Sequence, residues 1–242
     1  MLGEQAKKIL EQLPGGQILG AIDYWRHPEM RSAWGGPFNG QRARAALFLA
    51  LIATVKARAI IETGTFRGTT TEFMARTGLP IYTVENQARN YGFSRARLFG
   101  LRNVDVHHGD SRRFIRKLLR GPLGRFTDQV VFAYLDAHGE GDLPLAEEID
   151  LLFTYWPAAV VMIDDFEVPF DAGYRFDIYR SGKALNWAYI EPEIVKHDLA
   201  AFYPATAAAQ ETGKRRGCIV LAKKARHAEA ISAMRELRTA HG

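Results

Sequence analysis

Short apolar runs rich in β-branched residues recur along the chain. The segments between these runs show the three- to four-residue apolar spacing of amphipathic helices. The runs predict strands at residues 59–63, 81–85, 104–107, 130–136 and 159–164. Helices are predicted between them at residues 69–77, 87–99, 111–119 and 145–153. Strands that alternate with helices in this way predict an α/β fold with a parallel sheet, and right-handed crossovers make that sheet doubly wound.

The pattern changes after residue 165. An irregular stretch extends to about residue 193, and apolar runs at residues 199–203 and 216–223 then flank the turn-like segment ETGKRR. These two runs predict an antiparallel hairpin at the sheet edge. The hairpin completes a seven-stranded, mainly parallel, Rossmann-like sheet, and residues 225–240 predict a closing helix.

The segment before the first strand is less regular. Residues 3–13 predict an amphipathic helix that Pro14-Gly15-Gly16 ends, and residues 41–56 predict another helix. Between them lies an aromatic, glycine-rich stretch that either closes over a ligand as a lid or forms a hydrophobic plug. No repeat or linker interrupts the chain. We therefore predict a single domain, residues 1–242, made of an N-terminal extension (1–40), a core (41–223) and a C-terminal helix (224–242).

Composition excludes several classes of protein. With 47% hydrophobic and 24% charged residues, the 242-residue chain is typical of soluble globular proteins. Its longest apolar run is too short to span a bilayer, and its N-terminus lacks the features of a signal peptide. The lone Cys218 predicts a cytoplasmic protein with an inert buried thiol. The net charge of +5 would suit binding to nucleic acid, but the basic residues are dispersed over helix faces and a turn, which is more typical of a solvated surface.

An acidic residue stands at or just after the end of each predicted parallel strand. In chain order these residues are Glu62, Glu85, Asp110, Asp136 and the pair Asp164-Asp165. The carboxyl ends of parallel strands meet at one edge of the sheet, where ligands bind in such folds. Because clustered carboxylates repel one another, this edge needs cations or ligand hydroxyls.

The loop after the first strand indicates the class of ligand. It reads ETGTFRG, so it lacks the GxGxxG motif that binds a dinucleotide, and Glu62 would oppose a pyrophosphate. A carboxylate suits an ammonium group, which S-adenosylmethionine (SAM) carries at its methionine end. Glu85 is placed to accept hydrogen bonds from ribose hydroxyls, and Asp110 to reach the adenine edge.

These motifs together resemble those of class I SAM-dependent methyltransferases. They are ExGxxxG at the first strand, a glutamate ending the second, GDS after the third, and LDAH and IDDF ending the fourth and fifth. The nearer resemblance is to the divalent-metal-dependent O-methyltransferases that tailor sugars and natural products, and it covers residues 41–223. Catechol-type relatives carry an aspartate-asparagine pair where this chain has Asp164-Asp165, which is closer to the sugar- and macrolide-modifying branch.

The resemblance implies a set of site residues. SAM would be held by Glu62, Thr63, Gly64, Thr69, Glu85, Asp110 and Ser111. Mg²⁺ or another divalent cation would be held by Asp136, Asp164 and Asp165, whose carboxylates are hard oxygen ligands. A metal-bound hydroxyl has a lowered pKa and can be oriented toward the methyl group.

His138 and Asp136 are the candidate catalytic residues. His138 lies two residues beyond Asp136 and is placed to act as the general base, although a loop histidine without a proton role is the alternative. The aromatic and arginine-containing stretch at residues 167–187 would either shape the acceptor pocket or form the core of a loop.

The sequence therefore predicts a SAM-dependent, Mg²⁺-assisted O-methyltransferase acting on a hydroxylated small molecule, such as a sugar or glycoside. Two alternatives stay open. A NAD-dependent oxidoreductase is disfavoured by the absence of GxGxxG, and a nucleic-acid methyltransferase is favoured only by the pI of about 9.3 and the basic residues between 112 and 120. The oligomeric state, a homodimer included, is not set by the sequence.

Overall fold

The computed structural model describes residues 14–139 and 142–239, so the helix predicted at residues 3–13 lies outside the described residues. The described chain contains a sheet of eight strands in the order β3-β2-β1-β4-β5-β7-β6-β8. The strands are β1 (Ala59–Thr63), β2 (Ile81–Glu85), β3 (Val104–His108), β4 (Val131–Leu135), β5 (Val160–Asp164), β6 (Leu199–Pro204), β7 (Cys218–Lys223) and β8 (Leu237–Thr239). The helices are α1 (Pro14–Arg26), α2 (Arg42–Val55), α3 (Thr69–Ala75), α4 (Ala88–Arg97), α5 (Ser111–Arg120), α6 (Leu145–Tyr155), α7 (Trp187–His197) and α8 (Ala228–Ser232).

The sheet is parallel from β3 to β5 and antiparallel beyond it. β1 to β5 pair in parallel, whereas β7 pairs antiparallel with β5 and with β6. Every residue of β1, β4 and β5 is buried, which explains their nearly continuous apolar sequences. Successive side chains alternate between two cores: Ile61 packs with α5, α6 and α7 on one face, and Ile60 packs with α2, α3 and α8 on the other. This mainly parallel α/β sheet with its antiparallel edge confirms the predicted fold class.

The C-terminal prediction was wrong in part. In the described part of the segment predicted as one helix, residues 225–239, only Ala228–Ser232 is α-helical, and Leu237–Thr239 forms an eighth strand paired with β6. Leu237 is buried against the sheet. Pairing with the open edge of β6 therefore overrides the helix-forming composition of this segment.

The prediction of a break at Pro14-Gly15-Gly16 was also wrong, because these residues are helical and belong to α1. Two other glycines, Gly20 and Gly92, allow α1 to cross α4 in backbone contact. A Cβ at Gly20 would lie 1.9 Å from the Arg89 carbonyl oxygen, and one at Gly92 would lie 1.9 Å from the Gln17 carbonyl oxygen. A bidentate contact from Arg89 to Asp23, at 2.6 and 3.1 Å, fixes the crossing.

The connection from α1 to α2 contains short 3₁₀ turns at Pro28–Gly35 and Pro37–Gly40. Phe38 is fully buried in the core on the α2 side of the sheet, and its N–H donates to the Thr70 hydroxyl at 3.1 Å. Trp34 is 60% exposed. Phe38 thus packs as the predicted hydrophobic plug. A lid formed by the exposed part of the connection around Trp34 stays a prediction.

Candidate active site

The glycine loop between β1 and α3 brings β1 against the end of β4. Gly64 has a φ of 87°, and a Cβ there would lie 2.3 Å from the Asp136 carbonyl oxygen. The N–H groups of Gly64 and Thr65 both donate to the Val84 carbonyl, at 3.0 and 3.1 Å. Glycine is therefore required for the chain to turn between the ends of β2 and β4.

Glu62 lies beneath this loop and has partners within the protein. The hydroxyls of Thr71 and Thr83 both donate to its Oε2 at 2.6 Å. Its side chain is 1% exposed, and burial raises the pKa of Glu62 to about 7. Glu62 thus links β1 to the first turn of α3 and to β2, a structural function that the prediction of an ammonium ligand did not include.

Glu85 ends β2 and supports the loop from the opposite side. Its carboxylate accepts the N–H groups of Phe66 at 2.7 Å and Gln87 at 2.8 Å, one on each oxygen. Glu85 is 6% exposed, and burial raises its pKa. Each oxygen keeps lone-pair capacity for a further donor, so the arrangement fits the predicted contact with ribose hydroxyls.

Asp110 is the N-cap of α5, where it accepts the N–H of Arg113 at 3.0 Å. Arg112 donates to the same carboxylate at 2.6 Å, and this hydrogen bond lowers the pKa of Asp110. An open cavity of about 530 Å³ lies beside these residues and is also bordered by Arg116 and Glu147. Asp110 therefore lies at a concave surface, as a contact with adenine would require.

The remaining residues predicted to contact SAM lie along the same edge. Thr63 is fully buried, and its Oγ1 has no hydrogen-bond partner among the described residues. The Thr69 hydroxyl accepts from Arg97 at 2.9 Å. Ser111 begins α5 and is 6% exposed.

Asp136, His138, Asp165 and Asp177 form a carboxylate–imidazole cluster at the ends of β4 and β5. His138 Nε2 lies 3.5 Å from Asp136 Oδ1, 3.9 Å from Asp165 Oδ2 and 3.9 Å from Asp177 Oδ2. One ligand atom from each of Asp136, His138 and Asp165 lies within 4.8 Å of the other two. Burial and the neighbouring carboxylates raise the pKa of Asp136 well above its usual value.

A single arginine also contacts this cluster. Arg216 Nε donates to Asp165 Oδ1 at 2.6 Å, and its Nη2 contacts Asp177. Asp165 has a φ of 54°, a left-handed conformation in which the chain turns away from the line of β5. The turn directs the Asp165 side chain to His138 and Arg216.

Asp164, the third predicted metal ligand, has its own partners within the protein, although its charge helps to raise the pKa of Asp136. It accepts from Arg44, from the Tyr134 hydroxyl and from Asn39 Nδ2, the last at 3.2 Å. The Asp164 and Arg44 side chains are each 1% exposed. Because β5 side chains alternate, Asp164 follows Met162 onto the face that α2 covers, where Arg44 lies. The geometry thus brings ligand atoms of Asp136, His138 and Asp165 together. Asp164 is paired with Arg44, and its place in a metal site stays a prediction.

Four residues of the site were missed from the sequence: Arg44, Glu148, Asp177 and Arg216. One of them left a signal, because Arg44 falls on the same helical face as Leu47, Phe48 and Leu51. A lone charge on a buried apolar face needs a buried partner. Asp177 and Arg216 come from irregular or turn-like segments, where spacing gives no such signal.

Glu148 lies on α6 and is 1% exposed. Its Oε1 has no hydrogen-bond partner among the described residues, and burial raises the pKa of Glu148 to about 7.

The stretch at residues 167–187 supplies both core and surface groups. Tyr174 and Tyr179 are buried, and their hydroxyls donate to the Thr206 carbonyl at 3.0 Å and to Asp177 Oδ2 at 3.2 Å. Arg175 and Arg180 are exposed. The tyrosines therefore form the core of this stretch, and Tyr179 connects it to the carboxylate–imidazole cluster.

No family model and no curated protein sequence matches the chain. Solved structures do match it. An O-methyltransferase from Bacillus cereus in complex with SAH shares 15% identity, over 85% of this chain and 90% of that one, with a TM-score of 0.57. The O-methyltransferase TomG from Streptomyces achromogenes, involved in tomaymycin synthesis and in complex with SAM, shares 17% identity, over 92% and 99%, with a TM-score of 0.56.

No helix in the described ranges is long and apolar enough to cross a membrane. The similarity to both solved structures extends over most of the chain. In this protein the carboxylate–imidazole cluster lies on an eight-stranded sheet with an antiparallel edge. The protein therefore has the fold of these SAM- and SAH-bound O-methyltransferases.

Proposed function

We propose that this protein is a SAM-dependent O-methyltransferase that transfers a methyl group to a hydroxyl of a small molecule, such as a sugar or glycoside, with the help of a divalent cation. One observation carries the proposal. The glycine loop, where the fold would hold a methyl donor, lies directly against the residue that begins the carboxylate–imidazole cluster, because Gly64 abuts the Asp136 carbonyl. Donor and acceptor sites would thus be adjacent.

The chain's residues fit SAM at three places. Glu85 is held by two backbone N–H groups and keeps acceptor capacity for ribose hydroxyls. Asp110 borders the open cavity beside α5. Gly64 and Gly68, both with positive φ, allow a sharp backbone turn in the loop between β1 and α3.

The residues also fit a divalent cation, Mg²⁺ or another. Asp136 and Asp165 offer carboxylate oxygens at the point that His138 faces, whereas Asp164 is already paired with Arg44. When bound, such an ion polarises a substrate hydroxyl and lowers its pKa. Nε2 of His138 can accept the hydroxyl proton or coordinate the ion, and the two functions exclude each other because both use the same lone pair.

The acceptor would lie between the cluster and the stretch at residues 167–187. Tyr179 and Asp177 fix this stretch at the cluster, and exposed Arg175 and Arg180 place positive charge nearby. A ring with several hydroxyls suits such a polar surface. We place the enzyme in the cytoplasm, where a buried, unpaired Cys218 is stable.

Calorimetry and a methyl-transfer screen test the proposal. We expect SAM to bind, NAD and RNA to bind far more weakly, and transfer to a hydroxylated acceptor to stop in EDTA. Glu85→Gln should weaken SAM binding, because it replaces one acceptor oxygen by a donor, whereas Gln210→Glu on the exposed surface serves as a control for charge alone. Binding of NAD without binding of SAM would refute the proposal.

A further inference from the structure

The imidazole of His138 is surrounded by carboxylates and bonded to none of them through Nε2. Its side chain is 4% exposed, and Nε2 has no hydrogen-bond partner among the described residues. Three carboxylate oxygens nevertheless lie at 3.5, 3.9 and 3.9 Å from it. A buried polar atom without a partner is rare and requires an explanation.

The spacing of these atoms fits a shared ion better than hydrogen bonds. Ligand atoms bound to one ion at about 2.1 Å lie roughly 3.0 to 3.4 Å apart at octahedral or tetrahedral angles. The shortest contact of Nε2, 3.5 Å to Asp136, lies at the upper end of that interval, and the contact of 3.9 Å to Asp165 needs to shorten by about half an ångström to reach it. Direct hydrogen bonds would bring the same atoms to about 2.9 Å.

The charges of the site leave room for a divalent cation. Four carboxylates lie at the ends of β4 and β5 and in the adjoining stretch, and two arginines face them: Arg44 at Asp164, and Arg216 at Asp165 and Asp177. With all four carboxylates ionised, as a bound cation would keep them, the imbalance is two negative charges, and Asp136 has no arginine or lysine ion pair among the described residues. A single divalent ion between Asp136 and Asp165 neutralises it.

We propose that His138 is a ligand of this ion through Nε2, together with Asp136 and Asp165, and that the ion is a first-row transition metal. Imidazole favours metals such as Fe²⁺, Co²⁺, Ni²⁺ and Zn²⁺, and carboxylates favour Mg²⁺ and Mn²⁺. A mixed nitrogen and oxygen set therefore selects a transition metal over Mg²⁺. The inference rests on the proposed function only in that methyl transfer is the reaction in which the ion would act. It assigns His138 to coordination instead of general base catalysis.

Pulsed electron paramagnetic resonance of Mn²⁺ bound to the full chain, without SAM, tests the assignment. We expect the bound ion to show the modulation of a directly coordinated ¹⁴N. A second cluster of Asp150, Glu193 and His197 also has ligand atoms within 4.8 Å of one another, so the spectrum is recorded on His197→Gln as well. The nitrogen signal should persist in His197→Gln and disappear in His138→Gln.

Metal titrations give a second readout. We expect His138→Gln to weaken Co²⁺ binding by on the order of 100-fold, at the upper end of what loss of a group supporting a metal site causes. Mg²⁺ affinity should change much less, because the two carboxylates remain. If His138→Gln does not fold, the nitrogen signal of His197→Gln alone decides the assignment.

Two results would overturn the inference: bound Mn²⁺ without nitrogen modulation, or equal Co²⁺ affinity in the wild type and a folded His138→Gln variant. Failure of the proposed function looks different. In that case the metal binds through His138 as expected, while SAM does not bind and no acceptor is methylated.

Discussion

Asp164 and Asp165 are neighbours in sequence but occupy opposite kinds of environment. Asp164 is buried, and the fold supplies its counter-charge permanently through Arg44, with Tyr134 and Asn39 as further donors. Asp165 shares one arginine, Arg216, with Asp177 and faces His138 Nε2, which has no hydrogen-bond partner among the described residues. The charge of Asp164 is balanced within the protein, whereas we propose that a bound cation balances the charges around Asp165.

The Arg44–Asp164 pair also fixes the geometry around the second environment. It ties α2 to the end of β5, and Arg44 additionally contacts the carbonyl of Arg216. Burial alone would lower the pKa of Arg44, but the charge of Asp164 reverses this effect and raises it. Arg44 is therefore charged, and removing either member of the pair leaves the other without its partner in a low-dielectric interior.

The largest expected effect is that of Arg44→Met. Breaking a buried ion pair on one side costs about 3–5 kcal/mol, because the remaining charge is not compensated. Urea denaturation measures this loss. The matched control is Arg216→Met, whose side chain is 19% exposed and which should cost less. The double variant Arg44→Met/Asp164→Leu should recover much of the loss, and a loss below about 1 kcal/mol in Arg44→Met would contradict the assignment.

Glu148 provides a third case, a buried carboxylate with no arginine or lysine ion pair among the described residues. Burial raises its pKa from 4.5 to about 7, so between these values the folded state binds more protons than the unfolded state. Its contribution to stability is complete below pH 4.5 and is lost as the pH rises through 7. The loss is on the order of 3 kcal/mol by pH 8.

Glu148→Gln should remove this dependence. Denaturation of wild type and variant from pH 4.5 to pH 8 should give curves that diverge as the pH rises, with the variant relatively more stable at the alkaline end. Glu62 has a similarly raised pKa and makes the unfolding free energy depend on pH in both proteins. The difference between the two curves removes this shared contribution and is therefore the measured quantity. Parallel curves would show that Glu148 is charged throughout.

The next prediction compares how substitution of each of the two neighbouring aspartates affects methyl transfer. Asp165→Asn should lower kcat/KM for methyl transfer by on the order of 100-fold, about 2.7 kcal/mol of transition-state stabilisation, with a modest change in stability. Asp164→Asn should destabilise the fold but retain most of the activity at low temperature. The reverse outcome, activity lost in a folded Asp164→Asn variant, would restore the metal set expected from the sequence.

The sequence predicts the acidic edge as a whole because it depends on strand order. Parallel strands place Glu85, Asp110 and Asp136 at one edge whatever their rotamers, and the ETGTFRG loop requires a sharp turn there. Which carboxylate of the Asp164-Asp165 pair faces the site could not be predicted. That choice depends on the left-handed conformation of Asp165 and on Arg44, which comes from a helix 120 residues away in sequence.

The errors at the two ends of the chain have a similar origin. Pro14-Gly15-Gly16 suggests a break when only local propensity is considered, yet these residues are helical in α1, which packs against α4 at Gly20 and Gly92. Residues 237–239 belong to a segment with helical composition, yet they pair with β6. In both cases a partner distant in sequence decides the local structure.

The smallest expected effect is at Asn39, the third donor to Asp164. Asn39 has a φ of 59°, so Asn39→Gly removes the hydrogen bond while glycine keeps the left-handed conformation without strain. We expect a loss of about 1 kcal/mol in urea denaturation and unchanged methyl transfer. Asn39→Ala should cost about 1–2 kcal/mol more, because alanine adds backbone strain at the same position. Equal stability of Asn39→Gly and wild type would mean that Asp164 is satisfied by Arg44, Tyr134 and the Asp165 N–H, which donates to it at 2.9 Å. A tenfold loss of activity in a stable Asn39→Gly protein would instead mean that the segment before α2 contributes to the acceptor site, and the two environments would then not be separate.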